Sequence, residues 1–207
     1  MADRGVLLVP QKDLDQAKSR MQLSPPRRRD LAVSMLRRTL TAAAGVRFTA
    51  VVVVLDNPAD AREIHDRDVT PFTPEVAGLN ESLVVAEEFA RVRWGAVRLA
   101  VMPADLPLAT APLLDTALRL AARHERAFLP DISARGTTLL FAGKDAALKP
   151  AYGPHSAHAH EGNGARRLRA PGLDHLRHDV DDMADFFTVN LRSEEARNDG
   201  KRQRETA

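Results

Sequence analysis

Three groups of charged residues in this 207-residue chain could do chemistry together. The first is Asp105. It follows the apolar run Val97-Arg98-Leu99-Ala100-Val101-Met102, which stops at Pro103, and Pro107 stiffens the turn behind it. Such a run reads as a buried parallel strand ending before a loop. In open α/β sheets ligands bind at the carboxyl ends of the strands, so a carboxylate there is placed to hold a metal ion. Taken alone, Asp105 serves equally well as an ordinary turn residue. The second group is Asp179-Val180-Asp181. In an extended segment residues two apart share a face. Two convergent carboxylates repel unless a cation lies between them. A hard, oxygen-liganded ion such as magnesium fits, because it takes one or two carboxylates plus substrate phosphates. The third group is Lys12, Lys18 and Arg20, in the loop after the first apolar strand. Phosphates bind at that position in α/β folds. These cations could hold a triphosphate and neutralise charge at a transferring phosphorus; the alternative is a solvated surface loop.

The elements that must position these groups alternate between strand and helix. Gly5 to Val9 reads as the first strand. Ser24-Pro25 caps a helix to about Ala44, with Leu31, Met35, Leu36 and Leu40 on its core face and Gly45 as its stop. Phe48 to Leu55 is a second, almost wholly apolar strand ending in the turn Asp56-Asn57-Pro58. A short helix through Ile64 and a short strand from Val69 to Phe72 come next. Asn80 reads as the N-cap of a helix to Arg93 that buries Leu83, Val84 and Phe89. A helix from Thr110 to near His124 precedes the strand Ala127 to Leu129. That strand ends in Pro130-Asp131, and the loop Ile132 to Gly136 leads to the strand Thr137 to Phe141. Ser156 caps a helix that Gly162-Asn163-Gly164 breaks early. Asp182 caps a last helix from Met183 to Arg192, and a charged tail from Ser193 to Ala207 lacks any apolar face, the pattern of a disordered segment.

Further candidates lie along this path. Gly78 before a helix N-terminus lets a flat base or a phosphate approach the backbone, although a plain capped helix explains Gly78-Leu79-Asn80 as well. The Thr137 hydroxyl could bind a carboxylate or a phosphate, and the free N–H groups near Ser156 suit an anion. His155, His158 and His160 do not make a metal site, since no Cys or acidic partner sits at ligand spacing. No Gly-x-Gly-x-x-Gly and no Walker-type Gly-Lys-Ser/Thr is present, which excludes a dinucleotide fingerprint and a P-loop.

Composition narrows the classes. The length suits one sizeable core. The absence of cysteine excludes a disulfide framework and thiolate metal sites and fits a reducing cytoplasm. The longest apolar run, Ala50 to Leu55, is too short to span a bilayer, and the N-terminus carries no signal-peptide pattern. A net charge of +2 without a basic block argues against nucleic acid as a partner.

Read in order, these segments resemble the 2-phospho-L-lactate / phosphoenolpyruvate guanylyltransferase family of coenzyme F-420 biosynthesis. The matching segments are Val9-Pro10-Gln11-Lys12 with Ala17-Lys18-Ser19-Arg20, Gly78-Leu79-Asn80 and Pro103-Ala104-Asp105-Leu106-Pro107. They continue with Pro130-Asp131 and Gly136-Thr137, Tyr152-Gly153-Pro154-His155-Ser156 with His160, and Asp179-Val180-Asp181. The resemblance implies a nucleotide-diphospho-sugar-transferase-like fold: a three-layer α/β/α sandwich around a mostly parallel mixed sheet, forming one nucleotidyltransferase domain over residues 1–192. It implies GTP held by Lys12, Lys18, Arg20, Gly78 and Asn80, and Mg2+ held by Asp105, Asp179 and Asp181. Lys18 and Asp105 would be the catalytic pair. Thr137, Gly153 and Ser156 would hold a small phospho-acid whose phosphate displaces pyrophosphate from GTP. The product would pass to the next enzyme of a cytoplasmic pathway. Five of the 30 basic residues are lysine and the other 25 arginine, a bias of GC-rich genomes that favours phosphoenolpyruvate over 2-phospho-L-lactate within the family. The chain departs from the family pattern at Thr138, Ala157, Gly162-Asn163-Gly164 and Asp182-Met183, which leaves the metal-site carboxylates in place and bears on the acceptor and on activity. Two alternatives remain: a molybdopterin-type nucleotidyltransferase, though its Gly-Gly-x-Ser-x-Arg loop is missing, and a degenerate, non-catalytic GTP-binding subunit.

Overall fold

The computed structural model describes residues 5–19, 21–169 and 171–180. Arg20, Asp181, the expected Asp182-capped helix and the 193–207 tail lie outside them. Among the described residues seven strands form one sheet: β1 (Val6–Gln11), β2 (Ala50–Leu55), β3 (Val69–Phe72), β4 (Leu99–Val101), β5 (Arg126–Pro130), β6 (Thr137–Ala142) and β7 (Arg166–Arg167). Their order is β3-β2-β1-β4-β6-β5-β7. Only β6 runs antiparallel to its neighbours, β4 and β5, so the sheet is mixed and mostly parallel, as expected.

Among the described residues four helices, α1 (Pro25–Ala44), α2 (Leu79–Trp94), α3 (Ala111–Ala121) and α4 (Ser156–Gly162), cover the sheet. Alternate residues of β1 explain the layering. Leu7 and Val9 pack with Leu36 of α1 and Leu114 and Ala117 of α3. Val6 and Leu8 pack with Leu83, Ala86 and Ala90 of α2 and Ala157 of α4. Both faces of β1 are therefore buried, which is why the strand carries no polar alternation. The result is the expected three-layer α/β/α sandwich.

Several boundaries differ from the sequence expectations, each for a local reason. Gly5 precedes β1 instead of starting it; at φ +70 its backbone lies so close to Arg98 that a Cβ would sit 2.1 Å from that carbonyl oxygen. Gly45 ends α1 in a right-handed conformation, and a Cβ there would meet Ala111 at 2.5 Å, so close approach of α3 is what requires glycine. Leu31 and Leu40 are only half-buried, while Ala32, Thr39, Ala42 and Ala43 form the buried stripe with Met35 and Leu36. The second strand begins at Ala50, not Phe48. Gly78, not Asn80, is the N-cap of α2, and His155, not Ser156, is the N-cap of α4. Val84 is 53% exposed because Ser82, Leu83, Ala86 and Ala90 define the inward face of α2. Phe89 is half-buried, stacked on Phe72 with ring centroids 4.3 Å apart. β7 and a 3-10 turn at Asp174–Arg177 were not foreseen.

Candidate active site

The chain leaves β1 to one side for β2 and returns on the other side for β4, so the carboxyl ends of β1 and β4 flank a topological switch point. Crevices at such points bind ligands. A cleft of about 550 Å³ opens there, lined by Pro10, Lys12, Lys18 and Asp105 together with Asp56 after β2 and Ser82 of α2. Its volume falls in the range of small-molecule sites.

Lys18 and Asp105 meet in this cleft. Lys18 Nζ donates to Asp105 Oδ2 at 2.8 Å and to the Val180 carbonyl at 2.5 Å. The pair is largely shielded, with side-chain exposures of 10% and 27%. Lys18 sits in the left-handed region at φ 56. That conformation is unfavourable for a residue with a Cβ and persists only where surrounding contacts impose it. The contacts here are clear. Leu14 and Ala17 pack under the loop against Ala32. Leu14 N–H donates to the buried Asp60 Oδ2 at 2.9 Å. Arg29 bridges Asp15, Asp60 and Glu63. Lys12 lies exposed at the cleft rim.

The Asp179-Val180 segment docks on the same site. Val180 is fully buried against Met21, Met35 and Leu108, and its N–H donates to the Asp105 carbonyl at 3.2 Å. Asp105 and Asp179 are thus held on adjoining segments. Asp181 lies outside the described residues, and among those described no three His, Cys, Asp or Glu side chains converge as a metal cluster. The hard oxygen donors of Asp105 and Asp179 nevertheless suit a divalent ion of the magnesium type.

Thr137, Gly153 and Ser156 are not among the residues lining this cleft; Thr137 starts β6 where β5 ends, paired with Pro130. Thr137 Oγ1 lies 2.9 Å from His160 Nδ1, and His160 Nε2 accepts the Ala151 N–H at 2.9 Å. The Nε2 bond fixes the tautomer: the ring proton is on Nδ1. Burial, and secondarily the Arg126 charge, hold the His160 pKa down to about 4, so the ring is neutral. Gly153 adopts φ 138 with open space where a Cβ would stand. Ser156 is buried as the first residue of α4, and the N–H groups expected to be free for an anion are taken: Ser156 donates to the Gly153 carbonyl at 3.1 Å and Ala157 to the Arg135 carbonyl at 3.0 Å. Asn80 is not among the residues lining the cleft; its amide clasps the Tyr152 backbone, accepting the N–H at 2.7 Å and donating to the carbonyl at 2.9 Å. Gly78, at φ 100, ends the loop that delivers α2 to the cleft.

A model of the MobA-like NTP transferase domain matches residues 28–179. The phosphoenolpyruvate guanylyltransferase of Thermomonospora curvata is 36% identical over 184 residues, spanning 87% of this chain and 80% of that protein. The chain belongs to the phosphoenolpyruvate guanylyltransferase family. The family's member from Rhodococcus erythropolis is 35% identical over 201 residues, spanning 88% of each chain. The fold is that of nucleotide-diphospho-sugar transferases: a structure of that description from Desulfovibrio desulfuricans G20 superposes with a TM-score of 0.66 at 15% identity, covering 81% of this chain and 80% of that one. Membership makes the chain a nucleotidyltransferase enzyme.

Within this phosphoenolpyruvate guanylyltransferase-family site, the residues that sequence reasoning missed are supports. Asp60 and Arg29 brace the cationic loop. Arg177 braces the 131–136 loop, donating to the carbonyls of Pro130 at 3.1 Å and Asp131 at 2.9 Å. His160 braces Thr137. Asp60 and Arg177 look like ordinary charges in a sequence; only the spacing of His160 four residues after Ser156 hinted at an inward role. Two family departures have plain partners: Thr138 Oγ1 donates to the Leu129 carbonyl at 3.3 Å, and Ala157 is buried against the sheet.

Proposed function

We propose that this protein condenses GTP with phosphoenolpyruvate to form enolpyruvyl-diphospho-guanosine and pyrophosphate, a step of coenzyme F-420 biosynthesis in the cytoplasm. The observation that carries the reading is the Lys18–Asp105 pair at the β1/β4 switch point, with the Asp179-Val180 segment docked on it. Lys12 and Lys18, with Arg20, hold the triphosphate, while Gly78 and Asn80 shape the base side. Asp105 and Asp179, joined by Asp181, hold Mg2+, which when bound supplies charge neutralisation at the phosphates. A phosphate oxygen of phosphoenolpyruvate attacks the α-phosphorus in line, the α–β bridge breaks, and pyrophosphate leaves. The Lys18 ammonium neutralises charge on the transferring group, so positioning and electrostatics carry the reaction. Thr137, Gly153 and Ser156 hold the acid. Names of relatives that span most of this chain support phosphoenolpyruvate over 2-phospho-L-lactate.

The test is pyrophosphate release from each of GTP, ATP, CTP and UTP with phosphoenolpyruvate, 2-phospho-L-lactate or 3-phosphoglycerate, with magnesium or chelator. The enzyme that consumes the product is supplied throughout, because the product is unstable. Magnesium-dependent release with GTP and phosphoenolpyruvate is expected. Release only with another nucleotide or acid replaces the substrate assignment, and silence alongside tight GTP binding makes the chain a non-catalytic subunit.

A further inference from the structure

Tyr152 carries a hydroxyl that the fold does not use. Its oxygen is buried and has no hydrogen-bond partner among the described residues. The ring itself is firmly held. Asn80 clasps the Tyr152 backbone on both sides, and the His160 ring packs edge-on to it with centroids 5.2 Å apart and an interplanar angle of 77°. A phenylalanine would fill the same space without stranding a donor, and buried polar groups are ordinarily satisfied. A buried hydroxyl left over by the protein is a candidate for a bond made to a ligand.

The surroundings say which kind of ligand. A phenol is a neutral donor at physiological pH, and burial pushes its pKa further up. The next residue, Gly153, has open space beside it. A second stranded proton lies close by in the chain of bonds. Because the His160 proton is on Nδ1, Thr137 cannot donate to that nitrogen, and no described residue accepts from the Thr137 hydroxyl. His160 therefore joins two O–H donors: Thr137 through Nδ1, and Tyr152 through the ring contact and the bond to the adjacent Ala151 N–H. Two donors without protein acceptors match an anion with several oxygens.

We propose that the Tyr152 hydroxyl donates a hydrogen bond to an anionic oxygen of the bound phospho-acid, acting with Thr137 as a second substrate-contacting hydroxyl. Tyr152 would then add a donor immediately before the Gly153–Ser156 turn. This rests on the guanylyltransferase reading above.

The test is Tyr152→Phe in the full chain. The KM for phosphoenolpyruvate should rise about tenfold or more, the scale of a lost bond to a charged group. The KM for GTP and the half-saturating magnesium concentration should stay within about twofold, and the melting temperature should hold or rise. An unchanged KM for phosphoenolpyruvate overturns the inference, as does a change confined to magnesium or GTP, which would place the hydroxyl on Asp105 or the nucleotide. Calorimetric titration of both proteins with phosphoenolpyruvate separates this from the activity itself. If the wild type does not turn over yet binds the acid more tightly than Tyr152→Phe, the contact stands and the reaction assigned above fails. Equal binding, or none by the wild type, rejects the contact.

Discussion

The Val180 N–H donates to the Asp105 carbonyl oxygen at 3.2 Å, stitching the last described segment of the chain to the loop after β4. Lys18 ties the same two residues from the third side, reaching the Asp105 carboxylate and the Val180 carbonyl with one ammonium. Three segments far apart in sequence thereby close on a single cation.

Replacing Lys18 by Ala should lower kcat/KM for pyrophosphate release by about 10²- to 10³-fold, the cost of removing one preorganised charge from a transition state. Lys18→Arg should recover little, because a planar fork cannot reproduce a compact ammonium shared between a carboxylate and a carbonyl. Steady-state rates of the two variants beside thermal melts decide the matter. A loss below tenfold with an intact fold would remove Lys18 from the chemistry.

The Asp60 carboxylate is 1% exposed and holds Leu14 N–H and Arg29 under the cationic loop. Asp60→Ala strands both partners. It should cost about 3 kcal/mol of stability, the scale of breaking a buried pair, and should raise the KM for GTP by loosening the loop that carries Lys18. Asp60→Asn, which can still accept the Leu14 N–H, should lose less. Denaturant unfolding curves and GTP saturation curves on both variants test this; equal stability of Asp60→Ala and the wild type would contradict it.

Most of the fold was legible because strands buried on both faces write themselves as apolar runs, and helix starts as Ser/Thr followed by Pro. β2 and β6 are plain in the sequence for that reason, as are the punctuated starts of α1 and α3 at Ser24-Pro25 and Thr110-Ala111-Pro112. The ends of α2 and α4 were less so: Asn80 and Ser156 are good capping types, but the chain uses the amide of Asn80 to clasp Tyr152 and places Ser156 inside the helix. Propensity reports what a side chain can do locally, and a long-range partner overrode it. The Lys18–Asp105 meeting could be anticipated from strand ends. The buttresses could not. Asp60 meets Leu14 across 46 residues, Arg177 meets Asp131 across 46 and His160 meets Thr137 across 23, and no local pattern encodes these pairs.

Asp105→Asn and Asp179→Asn should each abolish magnesium-stimulated turnover while leaving the melting temperature within a few degrees. The expectation follows from the role of hard carboxylates toward magnesium. Chelator should silence the wild type reversibly, with activity returning on added magnesium. Activity in chelator equal to that in magnesium would refute the metal-binding role of these carboxylates. Retained turnover in Asp179→Asn alone would narrow the metal site to Asp105 and whatever joins it.

The neutral, buried His160 makes stability depend on acid. Its ring is fully buried, with a pKa of about 4 in the folded protein against about 6.5 in an unfolded chain. Between those values the unfolded chain binds the proton and the folded protein does not, so stability rises with pH. Nothing is lost above about pH 6.5, and as the pH falls from there toward 4 the histidine contributes a loss of up to about 3 kcal/mol. Protonation also has a specific target: a proton on Nε2 would face the Ala151 N–H that this nitrogen now accepts. His160→Gln should flatten the stability slope over that window while lowering stability at neutral pH, because Gln cannot fill the imidazole's place between Thr137 and Ala151. Urea unfolding of both proteins at half-unit steps from pH 7 to 4 measures the slope. A variant with the same slope as the wild type would show that carboxylates elsewhere, and not His160, set the acid limit.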